Sequence, residues 1–227
     1  MKIKLIGLGG IGCRVLPILT QYLNNSVPGV ELWLVDGDNY EGKNTDRQLF
    51  ERLGNKAEVS TEMTLSTYPD LNLRAEPYFI TEENIVTLIR EDDIVFLCVD
   101  NHATRKLVSD RCGELDNVTL ISGSNEGEDA LVMVYQRIEG QDHTLPLTSS
   151  YHPEIQEPED RNPGEVGCDR IVASQPQLMF ANNLAASLML NAFYVRLLEG
   201  KVGYSEAMGS IRLNSVRPVL RKEIVNQ

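Results

Sequence analysis

The chain has 227 residues, 42% hydrophobic and 24% charged, which supports one sizeable core and excludes a wholly disordered chain. Lys and Arg number 21 against 33 Asp and Glu, a net charge of −12, so the surface repels phosphate backbones and anionic membranes, and neither nucleic acid nor a membrane is an expected partner. No apolar run reaches the roughly 18–20 residues of a membrane span, and Met1–Ile6 passes straight into glycines without the apolar stretch of a signal peptide.

Lys2 to Ile6 reads as a buried strand and Gly12 to Leu23 as a helix, with Val15, Leu16, Leu19 and Leu23 on one face. Val30 to Val35 is a second strand, closed by Asp36, Gly37 and Asp38. Leu73 to Phe79 makes a third, and Thr81 is placed to cap a helix running to Arg90 with Glu83 in its first turn. The almost continuously apolar run from Asp93 to Val99 is the pattern of a strand covered on both faces. Ala103 to Leu115 is helical, and Val118 to Ser122 is another short strand. This alternation predicts right-handed βαβ units and an α/β, Rossmann-like fold, a mostly parallel sheet flanked by helices.

After Arg137 the texture changes. Glu154 to Glu165 holds five acids and two prolines and reads as a mobile loop, and Gln177 to Leu198 as a long apolar helix for a core or a subunit interface. One domain is expected over 1–227. Its nucleotide-binding part spans 1–136, and a C-terminal extension over 137–227 carries the acidic loop, the apolar helix and the tail.

Three clusters carry chemistry. Gly7, Gly9, Gly10 and Gly12 follow a strand and open a helix, where glycines allow close backbone approach and the helix N-terminus presents free N–H groups to phosphate. That loop alone suits NAD, FAD or ATP. Asp36, at the end of the second strand, is placed to accept hydrogen bonds from ribose hydroxyls. Asn44, Arg47 and Lys56 follow at a distance from which they can reach a triphosphate; taken singly, Arg47 and Lys56 also fit solvated surface charges. Asp100 stands just past a buried strand, where a carboxylate suits Mg²⁺ beside phosphates or caps the helix that follows.

The four cysteines form no CxxC pair, which argues against zinc or a disulfide framework and for a reducing, cytoplasmic setting. Cys13, Cys98 and Cys112 fall in helix or strand patterns and read as core. Cys168 follows the acidic loop and is open to two readings, a nucleophile on a flexible segment or an ordinary buried or loop cysteine. His102, His143 and His152 show no metal spacing; His102, next after Asp100 and Asn101, fits a place near the nucleotide but more readily a surface or capping role.

Together the clusters resemble the ThiF/MoeB/HesA-type, ubiquitin-activating-enzyme-like superfamily. The matches are Gly7, Gly9, Gly10 and Gly12; Asp36 and Asp38; Asn44, Arg47 and Gln48; Lys56; Asp100 with Asn101; and Ser122 with Gly123. The resemblance extends from Lys2 to about Gly123 and implies an ATP-dependent adenylyltransferase. The C-terminal carboxylate of a ubiquitin-like (β-grasp) protein or peptide would attack the α-phosphate and expel pyrophosphate. It further implies that the glycine loop holds phosphates, Asp36 the ribose, Asn44, Arg47 and Lys56 the triphosphate oxygens, and Asp100 the Mg²⁺. Asp38, Gln48 and Asn101 belong to the same nucleotide site, Cys168 lies where several members carry a thioester-forming cysteine, and the assembly is a homodimer. Zinc is not expected. Two alternatives stand beside this expectation: an NAD-dependent oxidoreductase using the same glycine loop, and a non-catalytic scaffold of this family.

Overall fold

Apolar strands that each lead into a helix or turn must be covered on both faces, and this chain covers them with helices from both its halves. The computed structural model describes residues 1–45, 48, 50–164 and 178–222. Its first half runs β1 (Lys2–Ile6), α1 (Gly12–Ser26), β2 (Glu31–Val35), β3 (Asn39–Tyr40), β4 (Gly54–Asn55), α2 (Lys56–Thr67), β5 (Asn72–Glu76), α3 (Ile85–Leu88) and β6 (Asp93–Leu97). Its second half runs α4 (His102–Gly113), β7 (Val118–Glu126), β8 (Asp129–Ile138), β9 (Gln141–Asp142), α5 (Pro153–Gln156), α6 (Met179–Glu199), β10 (Glu206–Ser210) and β11 (Ser215–Val219).

The main sheet has nine strands in the order β11-β10-β8-β7-β6-β1-β2-β5, with β9 beside β8. Strands β5, β2, β1, β6 and β7 are parallel. The expectation of a mostly parallel sheet therefore holds for this part only. The strand expected to end at Ser122 runs on to Glu126, turns at Gly127 (φ +58°) and returns antiparallel as β8, and β10 and β11 add further antiparallel strands. The texture change after Arg137 falls inside β8, so the C-terminal portion continues the same sheet.

One face is closed by α1 and α6 over Ile3, Leu5, Leu32, Leu34 and Phe96; the other is closed by α3 and α4 over Val35, Val95, Leu97 and Leu120. The expected stripe of α1 (Val15, Leu16, Leu19, Leu23) is buried. Helix α6 inserts Met189 and Phe193 into the core, each worth about 1.5–3 kcal/mol on burial. The Phe193 ring lies 5.4 Å from Phe96 and edge-on to Tyr22. This approach requires Gly123, because a Cβ there would stand 2.3 Å from the Met189 Sδ.

Two further expectations are corrected. The helix expected from Thr81 to Arg90 shrinks to the four residues of α3. Asn84 accepts from Thr81 N–H (2.8 Å) and donates to Phe79 O (2.9 Å), and these side-chain bonds hold Thr81–Asn84 as a turn. The acidic stretch, expected to be a mobile loop, is an anchored strap as far as residue 164. Asp160 accepts from His102 and Ala103 N–H (2.7 and 2.8 Å), and Asn162 donates to Ile80 O (2.8 Å). At its start, buried His152 bridges Glu154 (3.1 Å) on α5 and Glu206 (2.9 Å) on β10, and Glu206 also receives Arg221.

The hydrogen bond to Glu206, then that to Glu154, holds the His152 imidazole above its ordinary 6.5 despite burial. A histidine raised on folding contributes stability that is complete below its unfolded pKa and is lost as pH rises through the folded value. Glu206 lies below its ordinary 4.5, so its own contribution fades only at acid pH, outside this window. Chemical denaturation at about pH 6 and about pH 8 should show the chain weaker at the higher pH, and His152→Gln should flatten that difference.

Candidate functional site

The glycine loop sits at the C-terminal end of the parallel strands, where α/β sheets open a crevice. Gly7 takes φ +87° and donates to Val35 O (2.9 Å), folding the loop back so tightly that a Cβ on Gly12 would stand 1.9 Å from the Gly7 carbonyl oxygen. Asp36 then ties this loop to the next. Its Oδ2 accepts from Leu8 N–H (2.6 Å) and its Oδ1 from Asp38 N–H (2.9 Å). Burial pushes the Asp36 carboxyl up, opposed by the Lys56 charge and these two donors.

The segment after Asp36 is organised by side chains that hold backbone. Asn44 Oδ1 accepts from Glu41 N–H (2.9 Å), and the Gln48 backbone N–H donates to Asn44 O (2.9 Å); the buried Gln48 Oε1 has no partner among the described residues. Asn55 donates to Asp36 O (2.9 Å) and accepts from Ala57 and Glu58 N–H, so it starts α2 and aims Lys56 inward. Lys56, 6% exposed, places Nζ 3.0 Å from Asp38 Oδ2. That burial excludes its reading as a solvated surface charge.

At the third cluster, Asp100 is exposed beyond β6 and accepts no hydrogen bond from a described residue. The cap of α4 is Asn101, whose Oδ1 accepts from Thr104 N–H (2.8 Å), not Asp100. Arg105, 3% exposed, donates to Ser122 Oγ (2.8 Å), Val99 O (2.6 Å) and Gly123 O (3.1 Å), while its Nε has no acceptor among the described residues. The Ser122-Gly123 pair thus supplies acceptors for this guanidinium.

One cavity of about 1050 Å³ gathers these groups: Gly7, Gly9, Gly10, Asp36, Asp38, Asn44, Gln48, Lys56, Asp100 and Asn101 all line it. Gly12 lies behind the loop. Arg47 and Cys168 lie outside the described residues. Of the two places open to His102, the cavity is the one observed: it lines the wall, and its buried Nδ1 has no partner among the described residues. Cys13, Cys98 and Cys112 are buried, and burial pushes the Cys98 and Cys112 thiols well up, so neither is an activated nucleophile.

Sequence reasoning missed Arg105, Asn55, the strap residues Glu154 and Asn162, and the far wall, which includes Met208 and Arg217. Arg105 left a local signal, a cation one turn into the helix after a strand end. The strap and far wall left none. Among the described residues no group of three or more His, Cys, Asp or Glu is placed to hold a metal, and no helix is long and apolar enough to cross a membrane.

Arg105→Lys keeps the charge but cannot serve three acceptors from one fork. It should lower unfolding free energy by about 1–3 kcal/mol for an acceptor left buried and unpaired, read from urea denaturation midpoints.

Three comparisons bear on this site. The chain is 34% identical over 137 residues to the adenylyltransferase and sulfurtransferase MOCS3 of Drosophila virilis, a match covering 59% of this chain and 29% of that protein. MOCS3 of Drosophila ananassae is also 34% identical, over 138 residues, and the chain again spans only 29% of its length. Among solved structures, E. coli MccB superposes with a TM-score of 0.72 at 18% identity, covering 99% of this chain and 65% of MccB. PaaA superposes at 0.65 and 16% identity, covering 97% and 64%. These two show the shared fold. The model of the ThiF family matches residues 1–205, and the chain belongs to the ThiF family.

Proposed function

We propose that the protein is an ATP-dependent adenylyltransferase that activates the terminal carboxylate of a ubiquitin-like protein or peptide as an acyl-adenylate. The observation that carries this reading is the convergence of the glycine loop, Asp36, Lys56 and Asp100 from four separate segments onto one cavity. Two comparisons support it: the curated relatives are named adenylyltransferases, and MccB has been solved with ATP and with MccA.

In this reading the loop amides after β1 receive phosphate oxygens, and Asp36 offers its remaining lone pairs to the ribose. Lys56 exchanges its Asp38 partner for a phosphate oxygen as negative charge develops. Asn44 and Gln48 shape the same wall, Gln48 bringing a free acceptor, and Arg47 completes the set of cations. The chain's task is positioning and electrostatic stabilisation of the transferring phosphate. Mg²⁺ fits the donor set: it binds through one or two carboxylates plus substrate phosphates, and Asp100 is an exposed carboxylate with free lone pairs at the cavity wall. It would neutralise phosphate charge there. The cavity exceeds the roughly 300–1,000 Å³ of an ordinary small-molecule site, leaving room beyond a nucleotide for an extended peptide terminus along Ser124, Met208 and Arg217. Cys168 would take the acyl group as a thioester in a second step. The exposed Ile18 on α1 and Phe180, Tyr194 and Leu198 on α6 support a homodimer.

Mg²⁺-ATP at about 100 times its dissociation constant should stabilise the fold by about 2.7 kcal/mol, with NAD inert. Lys56→Ala and Asp100→Ala should each diminish that thermal shift. With a glycine-terminated β-grasp protein, Lys56→Ala should slow ATP–pyrophosphate exchange by about 10²- to 10³-fold. Stabilisation by NAD alone would return the glycine loop to redox chemistry. ATP binding without exchange for any carboxylate would make the chain a nucleotide-binding scaffold.

A further inference from the structure

We propose that His152 is a proton-operated latch on the strap wall of the cavity: the charged ring ties Glu154 of that wall to Glu206 of β10, and the neutral ring keeps Glu206 and lets Glu154 go. The latch concerns control of the cavity and stands whether or not the adenylation reading does.

Donors and acceptors at this ring balance in only one protonation state. His152 is buried at the start of α5, with Nδ1 3.1 Å from Glu154 Oε1 and Nε2 2.9 Å from Glu206 Oε1. Both neighbours are carboxylates, which accept and, when ionised, do not donate. A charged imidazolium has an N–H for each of them. A neutral imidazole has one N–H and one lone pair, so it satisfies one carboxylate and repels the other. Loss of the proton therefore breaks one of the two bonds.

Exposure decides which one. The Glu206 side chain is 4% exposed and fixed on β10, where Arg221 also holds it through Nε (3.1 Å) and Nη2 (3.0 Å). The Glu154 side chain is 48% exposed in the first turn of α5, so water replaces the ring as its partner. The remaining N–H stays with Glu206, and Glu154 turns out. The other groups around the ring leave this choice unchanged. Arg221 comes from the chain after β11, pairs with Glu206 and lies 4.6 Å from the Tyr151 ring. Met133 of β8 and the stretch Leu145, Pro146, Leu147 and Ser149 bring no titratable group. From α4 the cation on which the Glu154 carboxylate acts is Arg105.

Glu154 lines the cavity, so its release changes the wall itself. The strap is then left to the Asp160 and Asn162 contacts, and α5 is no longer tied to β10 through its own side chain. The bond to Glu206 first, and that to Glu154, hold the imidazole above its ordinary 6.5 against burial, so release comes as pH rises through that raised value.

Hydrogen exchange of the full-length chain at about pH 6 and about pH 8, each corrected for intrinsic exchange, tests this at the amides of Ile155, Gln156 and Glu157, which close α5 on His152 O and Pro153 O. Protection there should fall by about tenfold at the higher pH, the population change on losing one charge-assisted bond to a half-exposed group. Glu154→Ala should be weakly protected at both values. Glu154→Gln should be equally protected at both, because its amide accepts from the charged ring and donates to the neutral one. Equal protection of the parent at the two pH values, or a fall that persists undiminished in either variant, would overturn the latch. If Glu154→Ala fails to fold, Glu154→Gln against the parent still decides. A chain with this pH response but no pyrophosphate exchange keeps the latch and loses adenylation; exchange without the response does the reverse.

Discussion

The Asp36 carboxylate stands at the junction of the two loops that form the cavity floor. It accepts one N–H from the glycine loop and one from the turn after β2, and the backbone carbonyl of the same residue receives Asn55. Each charge-assisted bond of this kind is worth about 1.5–3 kcal/mol, and withdrawing the carboxylate would leave the buried Leu8 N–H and the part-buried Asp38 N–H without their acceptor. With the Gly7–Val35 backbone bond it sets the height of the glycine loop against Lys56, whose own backbone N–H is held by Asp38 O at 2.8 Å. The group that presents an acceptor to the cavity is thus also the group that ties its two floor loops together.

A second constraint comes from packing. Helix α6 presses on β7 at Gly123, and the carbonyl of that glycine is an acceptor for Arg105. The contact that closes one face of the sheet therefore also holds the guanidinium beneath the N-terminus of α4. Because β8, β10 and β11 continue the sheet past β7, the cavity runs from the glycine loop onto an antiparallel wall that includes Met208 and Arg217.

Polar contacts, in contrast, organise the strap. Its described part buries only Ile155 and Asn162 among its side chains outside His152, and it is held by carboxylates, an amide and an imidazole. Such ties respond to charge and pH where an apolar core does not. The contrast with Lys4 is instructive. That ammonium is 1% exposed in β1, 3.1 Å from the Trp33 ring centre and 3.8 Å from Asp93, and burial lowers it to about 8. It is charged, but with neighbours on every side it has nowhere to go.

Much of this was legible in the chain because the signals are local. The strand-glycine-helix run at Lys2–Leu23, the acid ending β2 and the apolar run of β6 each follow from periodicity or from the steric freedom of glycine, which depend on a few adjacent residues. The matched residues from Gly7 to Asn101 were found because their types and spacing are set within single loops. The antiparallel half of the sheet was not legible. Val118–Ser122 looks the same whether its next neighbour returns by a hairpin or a crossover, and the antiparallel return is made by the turn at Gly127. Nor was the strap, since Asp160 and Asn162 read as two polar residues in an acidic stretch until folding sets them against α4 and Ile80. By itself the sequence determined the glycine loop, the buried strands and most of the residues that meet at the cavity. The tertiary structure alone decided that Lys56 is buried against Asp38, that the Arg105 guanidinium is held by Ser122 and Gly123 of β7, and that a carboxylate from the strap occupies the N-terminus of α4, because those contacts join segments whose proximity no local pattern encodes.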